Sequence, residues 1–171
     1  MAEKKSHTHK FVVCSNIFIR KGGKYLMIRR SADRKWMPNH VHTVGGKMNL
    51  DENPYDCALR ELKEEAGITA KNIQLEVAYH EIAPYKKESC NWLVFYFSGE
   101  YKSGRVKNKI SEGELVWLTP RELLKSKLHS SIKFVIKHVL SKKTGPVFGT
   151  LYYDDKNTVI KKKSKLNICE K

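Results

Sequence analysis

The order of strand-like and helical segments along the chain predicts an α+β fold. Apolar, β-branched segments at residues 11–20 and 25–28 precede one short helix with clear end signals. Two longer strand-like stretches follow that helix, at residues 73–82 and 91–101. Apolar residues at helical spacing then mark a second long helix at residues 130–141. Strands on both sides of one helix, closed by a C-terminal helix, predict a sheet that packs against helices.

A hairpin begins this pattern. Residues 21–24 read Lys-Gly-Gly-Lys, a turn that joins the strand at residues 11–20 to the returning strand at residues 25–28. The shorter segments that we predict are a polar loop at residues 31–41, a short strand at 42–44, a tight glycine turn at 45–46, a loop at 83–90, a short strand at 115–118 and one strand near 147–153.

Two helices carry start or stop signals in the sequence. Asn53 is a good N-cap residue, Pro54 suits the first helical position, and Gly67 suits a left-handed stop. Thr119, followed three residues later by Glu122, forms the capping-box pattern of a second helix start. The first of these helices therefore spans about three turns between residues 53 and 67.

Three carboxylates are expected on one face of that first helix. Glu61, Glu64 and Glu65 are related as i, i+3 and i+4. Like charges at this spacing repel by a few tenths of a kcal/mol per pair on an ordinary helix surface. A hard divalent cation such as Mg²⁺ binds oxygen ligands, and its presence among these side chains would explain the cluster.

The spacing around the helix follows the pattern G-x5-E-x7-R-E-U-x-E-E-x-G-U, where U is a bulky apolar residue. Its nine positions are Gly46, Glu52, Arg60, Glu61, Leu62, Glu64, Glu65, Gly67 and Ile68. This pattern resembles the signature of the Nudix (MutT-like) hydrolases over about residues 11–142. The resemblance implies an α/β/α sandwich with a mixed β-sheet. A solvated, charged helix is the alternative interpretation, but it does not explain the offsets of Gly46 and Glu52.

The resemblance also implies a set of metal ligands and a reaction. Nudix hydrolases use a divalent metal to cleave a nucleoside diphosphate linked to a further group, by attack of water at phosphorus. The expected cofactor is Mg²⁺, with Mn²⁺ able to substitute. Its expected ligands are Glu61, Glu64, Glu65 and the carbonyl of Gly45.

Other roles follow from the same resemblance. Glu52 is expected to be a general base or a supporting carboxylate, and we list Glu64 with the catalytic residues as well as with the ligands. Arg60 is expected to orient the glutamates through a bidentate pair rather than to touch substrate. A further catalytic carboxylate is expected from the loop before the last core strand. Glu112 is preferred there over Glu114.

Basic and aromatic residues near the glycine turn are candidates for substrate binding. Arg29 and Arg30 end the second strand, and Lys47 directly follows Gly46, so each is a candidate for a substrate phosphate. Three aromatic residues are candidates to stack a base, although aromatic residues in strands more often belong to a core: Trp36, Trp92 and Phe95.

Composition limits the class of protein. The 171 residues are enough for one domain with its own core, and no apolar run reaches the roughly 18 residues needed to span a bilayer. Residues 1–10 form a polar arm without the apolar stretch of a signal peptide. The four cysteines are far apart, which suits a reducing compartment. We therefore expect a cytoplasmic protein that is not bound to a membrane; the oligomeric state stays open.

The charge is strongly basic, at +15. Residues 143–171 form a C-terminal extension outside the resemblance, and residues 156–171 hold six lysines against one acid, a net +5. Such a run is more often a solvated end than a binding site. We expect its removal to leave hydrolysis of a free nucleotide nearly unchanged.

The leading functional hypothesis is a Mg²⁺-dependent nucleotide pyrophosphohydrolase acting on a small nucleotide, with an oxidised purine nucleoside triphosphate as the first candidate. An RNA 5′-end pyrophosphohydrolase is the alternative that the positive charge favours. Hydrolysis of ADP-ribose or of dinucleoside polyphosphates is a further alternative, because Pro84 and Tyr85 lie at offsets associated with each. A non-catalytic nucleotide-binding module is the least expected, since no glutamate of the motif is missing.

Overall fold

A mixed β-sheet organises the chain in a computed structural model, which describes residues 10–82, 90–141 and 145–168. The elements are β1 (Phe11–Lys21), β2 (Lys24–Arg30), β3 (Val41–His42), β4 (Val44–Lys47), α1 (Pro54–Glu61) with a π-helical turn (Leu62–Ala66), β5 (Ile68–Ile82), β6 (Asn91–Gly104), β7 (Lys109–Ile110), β8 (Gly113–Leu118), α2 (Pro120–Lys125), α3 (Ser130–Leu140), β9 (Val147–Tyr152) and β10 (Lys165–Ile168).

The strands lie in the order β10-β9-β5-β6-β1-β2-β8-β7, while β3 pairs with β2 and β4 pairs with β1. The β1–β6 and β5–β9 pairs are parallel and the other pairs are antiparallel. The predicted α+β class with a mixed sheet is therefore confirmed. The predicted hairpin is also confirmed, because Gly22 and Gly23 turn the chain with φ angles of 55° and 75°.

Both faces of the sheet are covered by helices. Ile17 and Ile19 of β1 point into one core, which includes Ala58, Leu62 and Ala66 from the α1 side. Phe18, which lies between those two isoleucines, points into the other core with α3. That second core includes Ile132, Val135 and Ile136. Alternation of side chains along β1 thus places one helical layer on each face, as the α/β/α expectation required.

The end signals of the helices act as predicted. The side chain of Asn53 accepts hydrogen bonds from the backbone N–H groups of Tyr55 and Asp56, and Gly67 ends the helical segment at φ 75°. Thr119 and Glu122 form the capping box of α2. The last turn before Gly67, at residues 62–66, is π-helical rather than α-helical. The sequence pattern did not predict this widened turn.

Two strands are longer than the sequence suggested. β5 begins at Ile68 rather than at residue 73, and it passes through register shifts against β6 near Thr69, Lys71 and Leu75. β6 continues to Gly104. The first residues of β5 were not predicted as a strand because they are mostly polar and lack the alternation of apolar and polar residues. Their side chains are mostly exposed or half-buried.

The sheet continues past the expected boundary at residue 142. β9 pairs in parallel with β5, and β10 pairs with β9. Val147, Leu151 and Val159 are buried in the same core as α3. The boundary therefore does not separate the described part of the C-terminal extension from the domain. The sequence masks this packing, because lysines and polar residues interrupt the few apolar positions and no periodicity emerges.

Over residues 10–82, 90–141 and 145–168, no helix is both long enough and apolar enough to cross a bilayer. The expected polar arm and the loop containing Pro84 and Tyr85 lie outside the described residues, apart from Lys10 and Cys90.

Candidate active site

Arg60 holds three of the motif carboxylates. Its Nε and Nη2 donate to the two oxygens of Glu52 at 3.0 and 2.7 Å, which is the expected bidentate pair. Its Nη1 donates to Glu61 at 2.8 Å and to Glu64 at 3.1 Å. Nη2 also donates to the carbonyl of Lys47 at 3.2 Å. The guanidinium therefore ties the helix to the strand that carries the glycine turn.

Glu52 is a poor proton acceptor in this arrangement. The hydrogen bonds from Arg60, followed by one from the backbone N–H of Asn49, lower the pKa of Glu52 to about 2. A carboxylate with so low a pKa is a weak base at neutral pH. Of the two roles expected for Glu52, the geometry favours that of a supporting carboxylate.

Glu65 lies apart from this cluster and contacts the glycine turn. The backbone N–H of Gly45 donates to its Oε2 at 3.1 Å. The pKa of Glu65 is raised to about 7, chiefly by burial and also by the carboxylates of Glu112 and Glu61, against the opposing effects of Gly45 and Arg30. This carboxyl therefore lies among like charges in a half-buried position.

The π-helical turn explains why the motif glutamates are divided. A π turn is wider than an α turn, so side chains at i, i+3 and i+4 no longer stack as on a regular helix. Over the described residues, no three His, Cys, Asp or Glu side chains are placed so that they could hold a metal ion together. The donor types nevertheless fit a hard cation, because carboxylate oxygens are the ligands that such a cation takes.

Gly46 gives Glu61 the space that it occupies. A Cβ atom built on Gly46 would lie 2.3 Å from Oε1 of Glu61. At Gly45, with φ 150°, a Cβ would instead lie 2.3 Å from the backbone oxygen of Ser15. The first glycine of the pair is therefore required by the backbone, and the second is required by a carboxylate of the motif.

Glu112 and Glu114 take opposite positions. Glu112 accepts a hydrogen bond of 2.6 Å from Nη1 of the buried Arg30, and Glu114 accepts one of 2.7 Å from the exposed Arg29. Neighbouring residues of a strand face opposite sides, so Arg29 and Arg30 diverge in the same way. Glu112 and Arg30 line the central cavity, whereas Arg29 and Glu114 line only a different depression, which Arg30 also reaches. The geometry thus favours Glu112 over Glu114, and it places Arg29 away from the cavity.

A cavity of about 460 Å³ adjoins these residues, a volume typical of small-molecule sites. One end is formed by Gly45, Gly46 and Glu112, beside β1 and β2, whereas Glu81 comes from β5, which β6 separates from β1. Glu65 and Glu61 contact the same two glycines, so the carboxylates of the motif lie next to this end. The further residues of its lining are Cys14, Asn16, Arg30, Trp36, His42, Lys47, Tyr79, Glu81, Trp92, Val94, Tyr96, His129 and Ser131.

Two of the three candidate aromatic residues line this cavity. The guanidinium of Arg30 lies 4.7 Å from the ring centre of Trp36, and the ammonium of Lys47 lies 5.4 Å from that of Trp92. Lys47, the phosphate candidate, is exposed at the cavity wall. Phe95 packs instead against the core on the α1 side of the sheet. The predicted stacking role therefore fits the positions of Trp36 and Trp92 and does not fit that of Phe95.

Sequence reasoning missed one acidic residue of the cavity. Glu81 is buried, with 6% exposure, yet it lines the cavity wall. Its carboxylate accepts a hydrogen bond from the hydroxyl of Tyr153, and the hydroxyl of Tyr79 is a second partner. The signal was present, because Val77, Tyr79 and Glu81 alternate along β5, which puts an acid on a face that is otherwise apolar.

Comparison with known proteins agrees with the fold and the motif. The family model described as the NUDIX domain matches residues 9–139. A protein named 8-oxo-dGTP diphosphatase from Escherichia coli is 32% identical over 92 residues, which are 53% of this chain and 70% of that protein. An isopentenyl-diphosphate Delta-isomerase from Dinoroseobacter shibae is also 32% identical, over 54% of this chain and 49% of that protein.

Among solved structures, a mutator MutT protein from Bacillus halodurans superposes with a TM-score of 0.79 at 23% identity. The match covers 92% of this chain and 98% of that one, so it shows a shared fold that extends beyond residue 139. A motif of this kind on such a fold is that of a Nudix pyrophosphohydrolase. The chain belongs to the Nudix hydrolase family and is of the MutT-like type.

Proposed function

We propose that this protein is a Mg²⁺-dependent pyrophosphohydrolase that cleaves a purine nucleoside triphosphate to the monophosphate and pyrophosphate, and that an oxidised purine nucleotide is its preferred substrate. The observation that carries the proposal is the cavity of about 460 Å³. Its one end abuts the glycine turn and the motif carboxylates, and its walls hold Trp36 and Trp92. A cavity with phosphate-binding chemistry at one end and aromatic walls suits a nucleotide.

The metal would be held by residues around the glycine turn. Glu61, Glu64, Glu65 and the carbonyl of Gly45 are the proposed ligands. A bound Mg²⁺ supplies neutralisation of phosphate charge and a lowered pKa for a water molecule. Glu61 and Glu64 accept hydrogen bonds from Arg60. To bind the metal, their carboxylates would have to give up some of these hydrogen bonds.

The remaining roles fall to residues of the chain itself. Arg60 and Glu52 brace the helix against β4, and Arg30 holds the carboxylate of Glu112 at the cavity end. Glu112 is the proposed proton acceptor, because Glu52 has its pKa lowered to about 2. Lys47 is placed to neutralise a phosphate near the glycine turn.

The choice of an oxidised purine rests on similarity as well as on the cavity. The E. coli relative is named for 8-oxo-dGTP. An isomerase of equal identity shows that identity alone does not select a reaction in this family. The intact set of motif glutamates and the aromatic cavity support nucleotide hydrolysis here.

A panel of substrates tests the proposal. With Mg²⁺ present, kcat/KM for 8-oxo-dGTP is expected to exceed that for ADP-ribose, a dinucleoside tetraphosphate and a 5′-triphosphate RNA, with pyrophosphate as the second product. Hydrogen-bond discrimination between nucleotides can reach about 10⁴-fold. Preference for RNA, with rates that fall steeply as salt rises, would assign the protein to RNA end processing and give the charge of +15 a direct role.

Substitution of the proposed ligands tests the metal site. Glu64→Gln and Glu65→Gln should each lower turnover by about two orders of magnitude or more, because each removes a charged ligand of the cation. Both variants should fold, which a thermal melt checks, since Asn53, Gly67 and the apolar positions of the helix are retained. Full turnover of either variant at saturating Mg²⁺ would refute the ligand assignment.

A further inference from the structure

The cavity carries an acid at each end, and only one of them is explained by phosphate chemistry. Glu112 belongs to the end formed by Gly45 and Gly46. Among the lining residues that the structure describes, Glu81 is the only other acid, and it comes from β5 with Tyr79. Since neither hydrolysis nor the Nudix motif requires Glu81, its burial against the cavity needs a separate account.

Burying a carboxyl is costly unless its oxygens find donors. Tyr153 donates to Oε1 of Glu81, and Tyr79 is its second hydroxyl partner. A carboxylate has about four lone-pair sites, so these partners leave acceptor sites for a molecule in the cavity. Burial raises the pKa of Glu81 to about 7, while the two tyrosines oppose that rise and so favour the ionised form.

Polar and aromatic side chains lie beside this acid. His129 stacks on Tyr153 with ring centres 6.2 Å apart, and Trp36 lies 6.1 Å from His129. Burial lowers the pKa of His129 to about 4, so its ring is neutral at physiological pH. The pKa of Cys14 is raised to about 12, so its thiol is neutral too. His129 is therefore a neutral neighbour that does not compete as a cation for the oxygens of Glu81, and Cys14 adds no negative charge beside it.

We propose that Glu81 selects the base of the nucleotide by accepting hydrogen bonds from the adjacent N–H groups of a guanine-type edge. This inference rests on the proposed function. Guanine presents N1–H and N2–H₂ side by side, and both donate. Adenine presents one donor and one acceptor on the corresponding edge, so a carboxylate leaves its N1 unpaired. The same two guanine donors persist when the base is oxidised at C8, so Glu81 selects guanine-type bases over adenine, with or without oxidation at C8.

Tyr153 acts on selection through Glu81, as a positioning residue. It lies beyond residues 9–139, the range of the family match, and directly follows β9. Its hydroxyl donates a hydrogen bond to one oxygen of Glu81. This contact fixes the orientation of the carboxylate. The C-terminal extension would thus contribute to substrate choice without touching the phosphates.

The test compares 8-oxo-dGTP, dGTP and dATP as substrates at pH 8, where Glu81 is mainly ionised. Glu81→Gln replaces a two-acceptor edge with one acceptor and one donor, which matches adenine. The ratio of kcat/KM for dGTP to that for dATP is expected to fall by at least ~10-fold, the loss expected for one charge-assisted hydrogen bond. The matched control is Glu76→Gln, a buried glutamate of the same strand that bonds to Ser98 and lines a different depression. It should leave the ratio unchanged.

Tyr153→Phe provides a second, independent variant. It should raise KM for dGTP and leave kcat nearly unchanged, because the lost hydroxyl acts in base recognition and not in hydrolysis. Its matched control is Tyr152→Phe, an exposed neighbour. If Glu81→Gln fails to fold, this variant decides: an unchanged dGTP to dATP ratio and KM would overturn the inference.

The failures of the two proposals can be told apart. If the wild-type protein hydrolyses none of the three triphosphates, the proposed function is refuted, and this inference falls with it. If it hydrolyses them but the dGTP to dATP ratio is the same in wild type and Glu81→Gln, only the role of Glu81 is refuted.

Discussion

At the scale of single residues, the site depends on how each carboxylate is partnered. Arg60 satisfies Glu52, Glu61 and Glu64 together, and Glu52 has its pKa lowered to about 2. Glu65 instead accepts from the backbone N–H of Gly45, and its pKa is raised to about 7, chiefly by burial. One guanidinium thus holds three carboxylates of the motif in place, whereas Glu65 is held by the glycine turn.

Glu112 and Glu114 offer a matched test at this scale. Glu112→Gln should lower kcat by at least ~10-fold, because it removes a charged group at the cavity end while the amide oxygen still accepts from Arg30. Glu114→Gln should change kcat less than ~2-fold, since this side chain is half exposed on the opposite face. Steady-state kinetics of both variants measure the difference. Equal effects, or a larger loss in the Glu114 variant, would contradict the assignment.

Glu81 should make stability depend on pH. Its pKa rises from the unfolded value of 4.5 to about 7 on folding, so between these values the folded state holds a proton that the unfolded state releases. The free energy of unfolding should therefore decrease as pH rises from about 4.5 to 7, and Glu81 should add no further change above about 8. The rise in pKa from 4.5 to about 7 corresponds to ~3 kcal/mol.

Urea melts of wild type and Glu81→Gln across pH 4.5–8 measure this contribution. Relative to wild type, the variant should gain stability steadily as pH rises to 7. The comparison cancels the effect of Glu65, which titrates in the same range in both proteins. Parallel pH profiles would show that the carboxyl of Glu81 has an ordinary pKa.

At the scale of elements, the glycine turn and the π-helical turn together place the motif. The residues 62–66 widen the end of the helix, and Glu65 is thereby directed to the N–H of Gly45. Gly45 and Gly46 leave room for backbone and carboxylate respectively. A side chain at Gly45 would therefore clash with backbone, whereas one at Gly46 would clash with a carboxylate of the motif.

Alanine substitutions should separate these two requirements. Gly46→Ala should lower turnover by at least ~10-fold with little change in Tm, because only the end of the Glu61 side chain must move. Gly45→Ala should lower Tm by about 4 °C or more, because its φ of 150° and the backbone of Ser15 give a cost of ~1–3 kcal/mol. Paired thermal melts and kinetics check both. A stable, fully active Gly46→Ala protein would show that Glu61 is free to move without loss.

At the scale of the whole molecule, one sheet with a core on each face joins the motif to the C-terminal segment. α1 covers one face and α3 covers the other, and β9 extends the sheet beside β5, the strand of Glu81. Val159 completes the core on the α3 side. The C-terminal extension is thus both a part of the core and a neighbour of the cavity.

Removal of residues 156–171 should lower stability more than activity. Loss of the burial of Val159, roughly 2 kcal/mol, and of the pairing of β10 predicts a fall in Tm of about 4–8 °C. Turnover of a free nucleotide well below Tm should change little, because Tyr153 and the cavity residues are retained. This revises the sequence-based reason for expecting a dispensable tail.

A charge variant controls for the lysines of this segment. Replacing the exposed Lys161, Lys162 and Lys163 by Gln keeps β10 and should leave Tm within ~1 °C. An unchanged Tm in the truncated protein would mean that neither Val159 nor β10 contributes to the stability of the domain.

Local chemistry was sufficient to predict much of this protein from its sequence. Asn53, Gly67, Thr119 and the Gly22-Gly23 turn act over a few residues, so their signals can be read without the fold. The motif likewise depends on fixed offsets along one short segment. The α+β class, the family and the candidate ligands follow from such local patterns.

Only the tertiary structure decided how distant segments meet. Glu112 and Glu114 are equivalent acids in the sequence, but Glu112 lies in the turn before β8 and bonds to Arg30 at the cavity, whereas Glu114 lies in β8 and bonds to the exposed Arg29. Tyr153 reaches Glu81 across 72 positions, because β9 pairs with β5. Burial, which sets the pKa of Glu81, arises from packing between such segments, and no local pattern encodes it.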